Sequence, residues 1–304
     1  LDFSALAPSP DGKRIFFVAR QERREFVRYD ARRGQFMPYL SGITGRFMDY
    51  SRDAQWAAYT SVPDSILWRI RPDGSERMQL TSAPLRVFWP RWSPDGTRIA
   101  FDGIRPGEPI RVCVIAVKQS GAGVPDCVTS DAAGQGHPSW SPDGKSLLFM
   151  RESQGKIPGR SGLYIMDWNT RKTEYVEGSR GLRQPSWSPD GRYIAATNAT
   201  GTQILLFDFH TRQWTELVTG SSLSTLRWSH DGEYLFYEDD SGDDQPVLRV
   251  RIANRRVEQV ASFQQILQSN VTDYDFCALA PLDIPVATVG HDNADVYALD
   301  LDLP

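Results

Sequence analysis

Cysteine and histidine are scarce in this sequence, with three Cys and four His in 304 residues. Three thiols cannot build a disulfide scaffold. The histidines, His137, His210, His230 and His291, share no metal-ligand spacing, so no metal centre is expected. Long apolar runs are missing too, and without about 18 consecutive apolar residues there is neither a transmembrane helix nor a membrane contact to expect. The opening Leu1-Asp2-Phe3-Ser4 has neither the basic nor the apolar stretch of a signal peptide. It also lacks an initiator Met, so further sequence upstream is expected. A basic excess is absent: 34 Lys and Arg face 38 Asp and Glu, a net charge of −4, which argues against nucleic acid as a partner of this segment. The nucleophile elbow Gly-x-Ser-x-Gly and the glycine-rich phosphate loops do not occur, so no catalytic residue and no cofactor is expected.

Turn formers and aromatics are plentiful, with 24 Gly, 20 Pro and 9 Trp. A helical bundle tolerates that much Pro and Gly poorly, so the expected class is all-β. Trp-Ser-Pro-Asp-Gly stands unaltered from Trp92, Trp140 and Trp187, and Trp228 begins Trp-Ser-His-Asp-Gly. Weaker copies are Pro8-Ser9-Pro10-Asp11-Gly12, Tyr50-Ser51-Arg52-Asp53-Ala54 and Leu279-Ala280-Pro281-Leu282-Asp283. The copies end at positions 12, 54, 96, 144, 191, 232 and 283. A period in the forties with about four short strands per repeat is the signature of a propeller blade. Seven four-stranded blades are therefore expected in one domain, with approximate bounds 1–42, 43–84, 85–132, 133–179, 180–221, 222–268 and 269–304. Neither end has a spare strand, so the last blade is expected to be incomplete.

Within the motif, Pro presets a turn, Asp accepts local backbone hydrogen bonds and Gly takes positive φ. Asp95, Asp143, Asp190 and Asp231 therefore read as structural rather than as ligands. Trp92, Trp140, Trp187 and Trp228 read as flat wedges between blades.

These repeats resemble the TolB-like, WD40-like (PD40) propeller repeat of bacteria over nearly the whole chain. Phe26-Val27-Arg28-Tyr29-Asp30, Pro38-Tyr39-Leu40-Ser41-Gly42 and Asp73-Gly74-Ser75-Glu76-Arg77, with the ending Val296-Tyr297-Ala298-Leu299-Asp300, resemble propeller regions joined to winged-helix domains in bacterial transcriptional regulators. The resemblance implies a sensing or interaction module and carries over no catalytic residue.

Residues entering the innermost strands face one mouth of the channel. Arg46, Trp89, His137, Arg183 and Gln184 are the candidate site there, suited to a protein, a peptide or a small anion. Protonation of His137 below about pH 6.5 would make affinity pH-dependent. Thr225, Asp275 and the loop residues Arg105, Lys156 and Arg160 stand nearby. Cys113 and Cys127 flank a turn in one repeat, placed to face each other as a disulfide or to remain two thiols. A disulfide would fit an extracytoplasmic compartment, whereas a soluble winged-helix partner domain would fit the cytoplasm. Clustered carboxylates at 239–244 invite calcium, but they lack EF-hand spacing and fall where a hairpin loop is expected. Complementary charge, with eight Lys and Arg in residues 1–40 and seven Asp in 273–304, could draw the two ends together. A monomeric binding or sensor module is the leading reading. A propeller lyase or hydrolase, with its site at the mouth, is the alternative.

Overall fold

A computed structural model describes residues 2–300 apart from 12, 119–120, 129–133, 153–160, 243, 265, 267–270 and 272. Lys156 and Arg160 lie outside the described residues. Nearly everything described is β-strand or turn, with one short 3-10 element at Pro281–Asp283.

Five repeats each form one antiparallel sheet whose strands follow sequence order. Blade 1 comprises residues 44–50 with Ala57–Ser61, Leu67–Ile70 and Met78–Gln79. Blade 2 runs Arg86–Trp92, Arg98–Ile104, Arg111–Lys118 and Asp126–Cys127. Blade 3 runs Gly134–Trp140, Ser146–Glu152, Gly162–Asp167 and Thr173–Tyr175. Blade 4 runs Arg183–Trp187, Tyr193–Thr197, Gln203–Asp208 and Gln213–Thr219. Blade 5 runs Leu223–Trp228, Tyr234–Asp239, Val247–Arg251 and Val257–Ala261.

The two ends of the chain do not make separate blades. Asp273–Ala280 and residues 284–290 supply the inner hairpin of blade 6, and residues 24–30 and 35–39 supply its outer hairpin. Arg28 pairs with Val286 and Phe26 with Thr288, so the N-terminal segment provides the strands that the C-terminal repeat lacks. Arg24, almost fully buried, binds Asp275 at 2.7 Å and also Asp273, so the opposite charge of the two ends is used at the seam. The expected seven blades, and an incomplete last one, are thereby corrected to a ring of six complete blades. The inner strands touch in succession from blade 1 to blade 6 and back to blade 1.

The first repeat's inner hairpin has another place. Residues 14–23 and 291–300 continue the blade 6 strands outward, and Asp2–Pro8 pairs alongside as a third strand. Leu6, Val296 and Leu299 are exposed on this arm.

Local chemistry explains why the turns recur. In each full motif Ser donates to Asp Oδ1 at 2.6 Å, as Ser93 does to Asp95, and the amide two residues after Asp donates to the same oxygen. Gly96 sits at φ +68°, a value that favours glycine. These bonds hold the Asp95, Asp143 and Asp231 carboxyls below the usual carboxylate range, in each case against some desolvation. Trp140 packs with Ala100, Val112 and Val114 of blade 2 and with Leu147 and Phe149 of blade 3, while its Nε1 donates to the Arg91 carbonyl at 3.1 Å. Trp228 likewise donates to Ser186 of the preceding blade, whereas half-buried Trp187 donates to Gly191 in its own turn.

Candidate functional site

In blades 1 to 5 the inner strand is interrupted by a β-bulge three residues before its motif aromatic. The register slips between Arg46 and Asp49, Phe88 and Arg91, Gly136 and Ser139, Arg183 and Ser186, and Ser224 and Arg227. The bulged residues Phe47, Trp89, His137, Gln184 and Thr225 all have φ between +49° and +55°. Five non-glycine residues in this sparsely populated region, at one repeated position, mark where the backbone turns side chains toward the channel mouth.

Blades 1 to 3 thereby present a continuous aromatic row. Phe47 and Trp89 have centroids 4.3 Å apart, Trp89 and His137 5.0 Å apart, and the Arg46 guanidinium lies 5.8 Å from the Phe47 ring. Beyond His137 the row meets Glu152, which binds Arg183 at 2.9 Å. A cavity of about 270 Å³ opens between blades 2 and 3, walled by Phe88, Trp89, Ile104, Ile110, His137 and Met150. Its lining is mostly apolar, with Glu152 at one edge and Asp102 within.

Asp102 is buried, and its two oxygens accept the His137 amide at 2.9 and 3.1 Å. Gly136 permits this approach, because a Cβ there would stand 2.9 Å from Asp102 Oδ2. Burial pushes the Asp102 carboxyl up to about 8, against the opposing pull of the His137 amide and the Arg91 charge. The carboxyl is therefore mainly protonated at neutral pH. Glu238 holds the same place in blade 5, accepts the Phe276 amide of blade 6 at 3.2 Å, and is likewise raised by burial. Two buried acids with one structural task argue that Asp102 ties blades together rather than performing chemistry.

The His137 imidazole is pushed down to about 4, first by burial and then by the charges of Arg91, Arg227 and Arg183. This overturns the expectation that His137 gains charge below about pH 6.5, because desolvation removes its ordinary titration. Of the five candidate residues, Trp89 and His137 share the cavity. Arg46 lies at the far end of the row and Arg183 is engaged by Glu152. Gln184 points along the ring instead, its Oε1 accepting the Thr225 amide at 3.2 Å. Phe47, Phe88, Ile104, Ile110 and Glu152 were not singled out from sequence, although Phe47 could have been found by counting back from the motif aromatic.

Cys113 and Cys127 stand directly opposite in blade 2, with Cα atoms 3.9 Å apart and the sulfurs joined. Cys277 is a buried thiol. Among the described residues no three His, Cys, Asp or Glu side chains gather as a metal cluster, and no helix is long and apolar enough to cross a membrane.

The family model for the TolB beta propeller domain matches residues 43–270. An uncharacterized protein of Agrobacterium fabrum is 29% identical over 113 residues, which are 34% of this chain and 38% of that protein. The uncharacterized peptidase YuxL of Bacillus subtilis is 30% identical over 185 residues, 46% of this chain and 28% of that protein. The chain thus spans well under half the length of these relatives. Among solved structures, a protein assigned as TolB from Agrobacterium tumefaciens superposes with TM-score 0.63 at 18% identity, covering 92% of this chain and 99% of that one. TolB from Acinetobacter baumannii gives 0.61 at 18%, covering 96% and 79%. Oligogalacturonate lyase from Vibrio parahaemolyticus gives 0.56 at 13%, covering 94% and 88%. At such identities the likeness concerns the fold.

Proposed function

The chain belongs to the TolB beta propeller domain family, and from that premise we propose that it is a non-catalytic module that binds a protein or peptide at the channel mouth. The observation that carries this reading is the aromatic row Phe47–Trp89–His137 leading into the cavity between blades 2 and 3. An exposed apolar cleft with a polar rim fits an apolar side chain of a docked peptide. A small anion suits this mouth less well, because Arg183 is engaged by Glu152 and the neutral His137 adds no charge.

Selection of peptides from a random displayed library tests the proposal. Enriched sequences should carry an apolar anchor and lose at least about tenfold in affinity on Trp89→Ala or Ile110→Glu, with little change in melting temperature. Failure to enrich any sequence, or equal binding by both variants, would refute it. Peptidase and polygalacturonate-eliminase assays test the lyase or hydrolase reading, for which turnover abolished by Trp89→Ala would be the supporting result. An extracytoplasmic location is part of the proposal, supported by the Cys113–Cys127 disulfide. The stretches that resemble winged-helix regulators support the competing placement, attachment to a soluble DNA-binding domain in the cytoplasm, and three free cysteines in the denatured, unreduced chain would favour it.

A further inference from the structure

A second site lies at the other end of the channel: we propose that the ring of residues beneath the turn face binds a small carboxylate group. One position before the motif's first residue, which is aromatic in blades 1 to 5 and Leu279 in blade 6, the six inner strands carry Asp49, Arg91, Ser139, Ser186, Arg227 and Ala278. Repetition places them at one level around the channel. A cavity of about 230 Å³ opens from this level to the turn face, with the indoles of Trp92, Trp140, Trp187 and Trp228 in its wall.

The charges at this level do not balance. Arg91 and Arg227, from blades 2 and 5, face each other across the ring and lie near enough for each to feel Asp49. One acid, Asp49, whose carboxyl burial pushes up against the pull of Arg91, opposes two guanidiniums, and Arg52 adds a third at the rim. Toward the mouth, Asp102 is mainly protonated at neutral pH and His137 is neutral, so neither cancels the excess from that side. Unbalanced charge in a desolvated site is costly, and an anion offsets it.

Hydrogen-bond capacity agrees. Arg91 donates to the Pro90 carbonyl at 2.8 Å, and Arg227 to the carbonyls of Cys277 and Leu226, which use only part of two five-donor forks. The Ser139 and Ser186 hydroxyls lie between them on blades 3 and 4. A carboxylate presents two oxygens in the geometry a guanidinium fork matches. The cavity is smaller than the roughly 300–1,000 Å³ of sites for drug-sized ligands, so a small acid or the end of a peptide fits.

Tryptophan fluorescence reads occupancy directly, since four indoles wall the cavity. The probes are propionate, inorganic phosphate, and the dipeptide Gly-Leu as free acid and as C-terminal amide, at constant ionic strength set by chloride. A saturable change with propionate or free Gly-Leu, and none with the amide, is expected. The carboxylate bearer that saturates identifies the source as a free acid or a peptide terminus. Arg91→Gln should weaken binding by about tenfold or more. Asp49→Asn should tighten it, because it removes the acid that competes for the two guanidiniums, while its amide oxygen can still accept the Trp92 N–H that Asp49 now accepts at 2.8 Å. Trp89→Ala, at the opposite face, should leave it unchanged, which separates this site from the mouth. Absence of saturation with every probe, binding of phosphate alone, or equal affinity in Arg91→Gln would overturn the proposal. If Arg91→Gln fails to fold, unchanged or weaker affinity in Asp49→Asn overturns it.

Discussion

Replacing Trp140 tests whether the motif tryptophans bind the ring together. Trp140 is 7% exposed and packs against side chains of two blades. An aromatic side chain buries about 150–250 Å², which at about 25 cal/mol per Å² corresponds to roughly 4–6 kcal/mol of apolar transfer. Part of that area is already covered in a compact unfolded chain, so Trp140→Ala should cost about 3–5 kcal/mol. Trp140→Phe keeps an aromatic wedge but leaves the Arg91 carbonyl without its indole donor, a loss of about 1–3 kcal/mol. Trp187 occupies the same motif position, yet it is half-buried and its Nε1 bonds within its own turn at 3.3 Å. Trp187→Ala should therefore cost distinctly less than Trp140→Ala, although the two motifs are identical in sequence. Urea titration followed by far-UV circular dichroism gives the midpoints, compared at constant m-value. Equal midpoints for the two alanine variants, or a Trp140→Ala midpoint equal to wild type, would show that packing between blades does not set the energetics.

Reduction of the Cys113–Cys127 bond, or its replacement by two serines, should cost about 3 kcal/mol for a loop of 14 residues' separation, read as a lower urea midpoint under reductant. Thiol titration of the denatured, unreduced chain should then find one cysteine; three would remove the bond and the compartment argument with it. Asp102→Asn should gain stability over wild type as pH rises. Because the folded carboxyl titrates near 8 and the unfolded one near 3.8, the wild-type group contributes fully below about pH 4 and loses that contribution as pH rises to about 8. A pH-independent difference between Asp102→Asn and wild type would contradict the burial. Chains shortened at the N-terminus should fold when they begin at Arg23 but not at Ala31, because residues 24–30 are an internal strand of blade 6; native-like dichroism from the shorter chain would refute the closure.

Sequence by itself determined what is local. The Ser-Pro-Asp-Gly turns close through bonds between residues two to five apart, so their composition is sufficient to place them. The facing of Cys113 and Cys127 follows from one short connection between adjacent strands. The mouth is partly legible: the entry to the inner strands points to Trp89 and His137, but in blade 1 it points to Arg46 where its neighbour Phe47 occupies the bulge. The position three residues before each motif aromatic is the one that carries the bulge, and in blade 1 that position is Phe47.

Tertiary structure alone decided the number of blades, because seven motifs close six blades once residues 24–28 pair with 286–290 and residues 35–39 add alongside them. A pairing across more than 240 residues leaves no trace in a period of forty-odd; it depends on which edge is left open when the ring is assembled. The same holds for charge. His137 and Asp102 look like ordinary titrating residues in the sequence, and their neutrality near pH 7 comes from the blades that cover them. The ring of Asp49, Arg91, Ser139, Ser186 and Arg227 exists only because repeats scattered along the chain converge on one axis. Hydrogen bonds within a turn are written in adjacent residues, whereas desolvation and convergence depend on what the rest of the chain places around them.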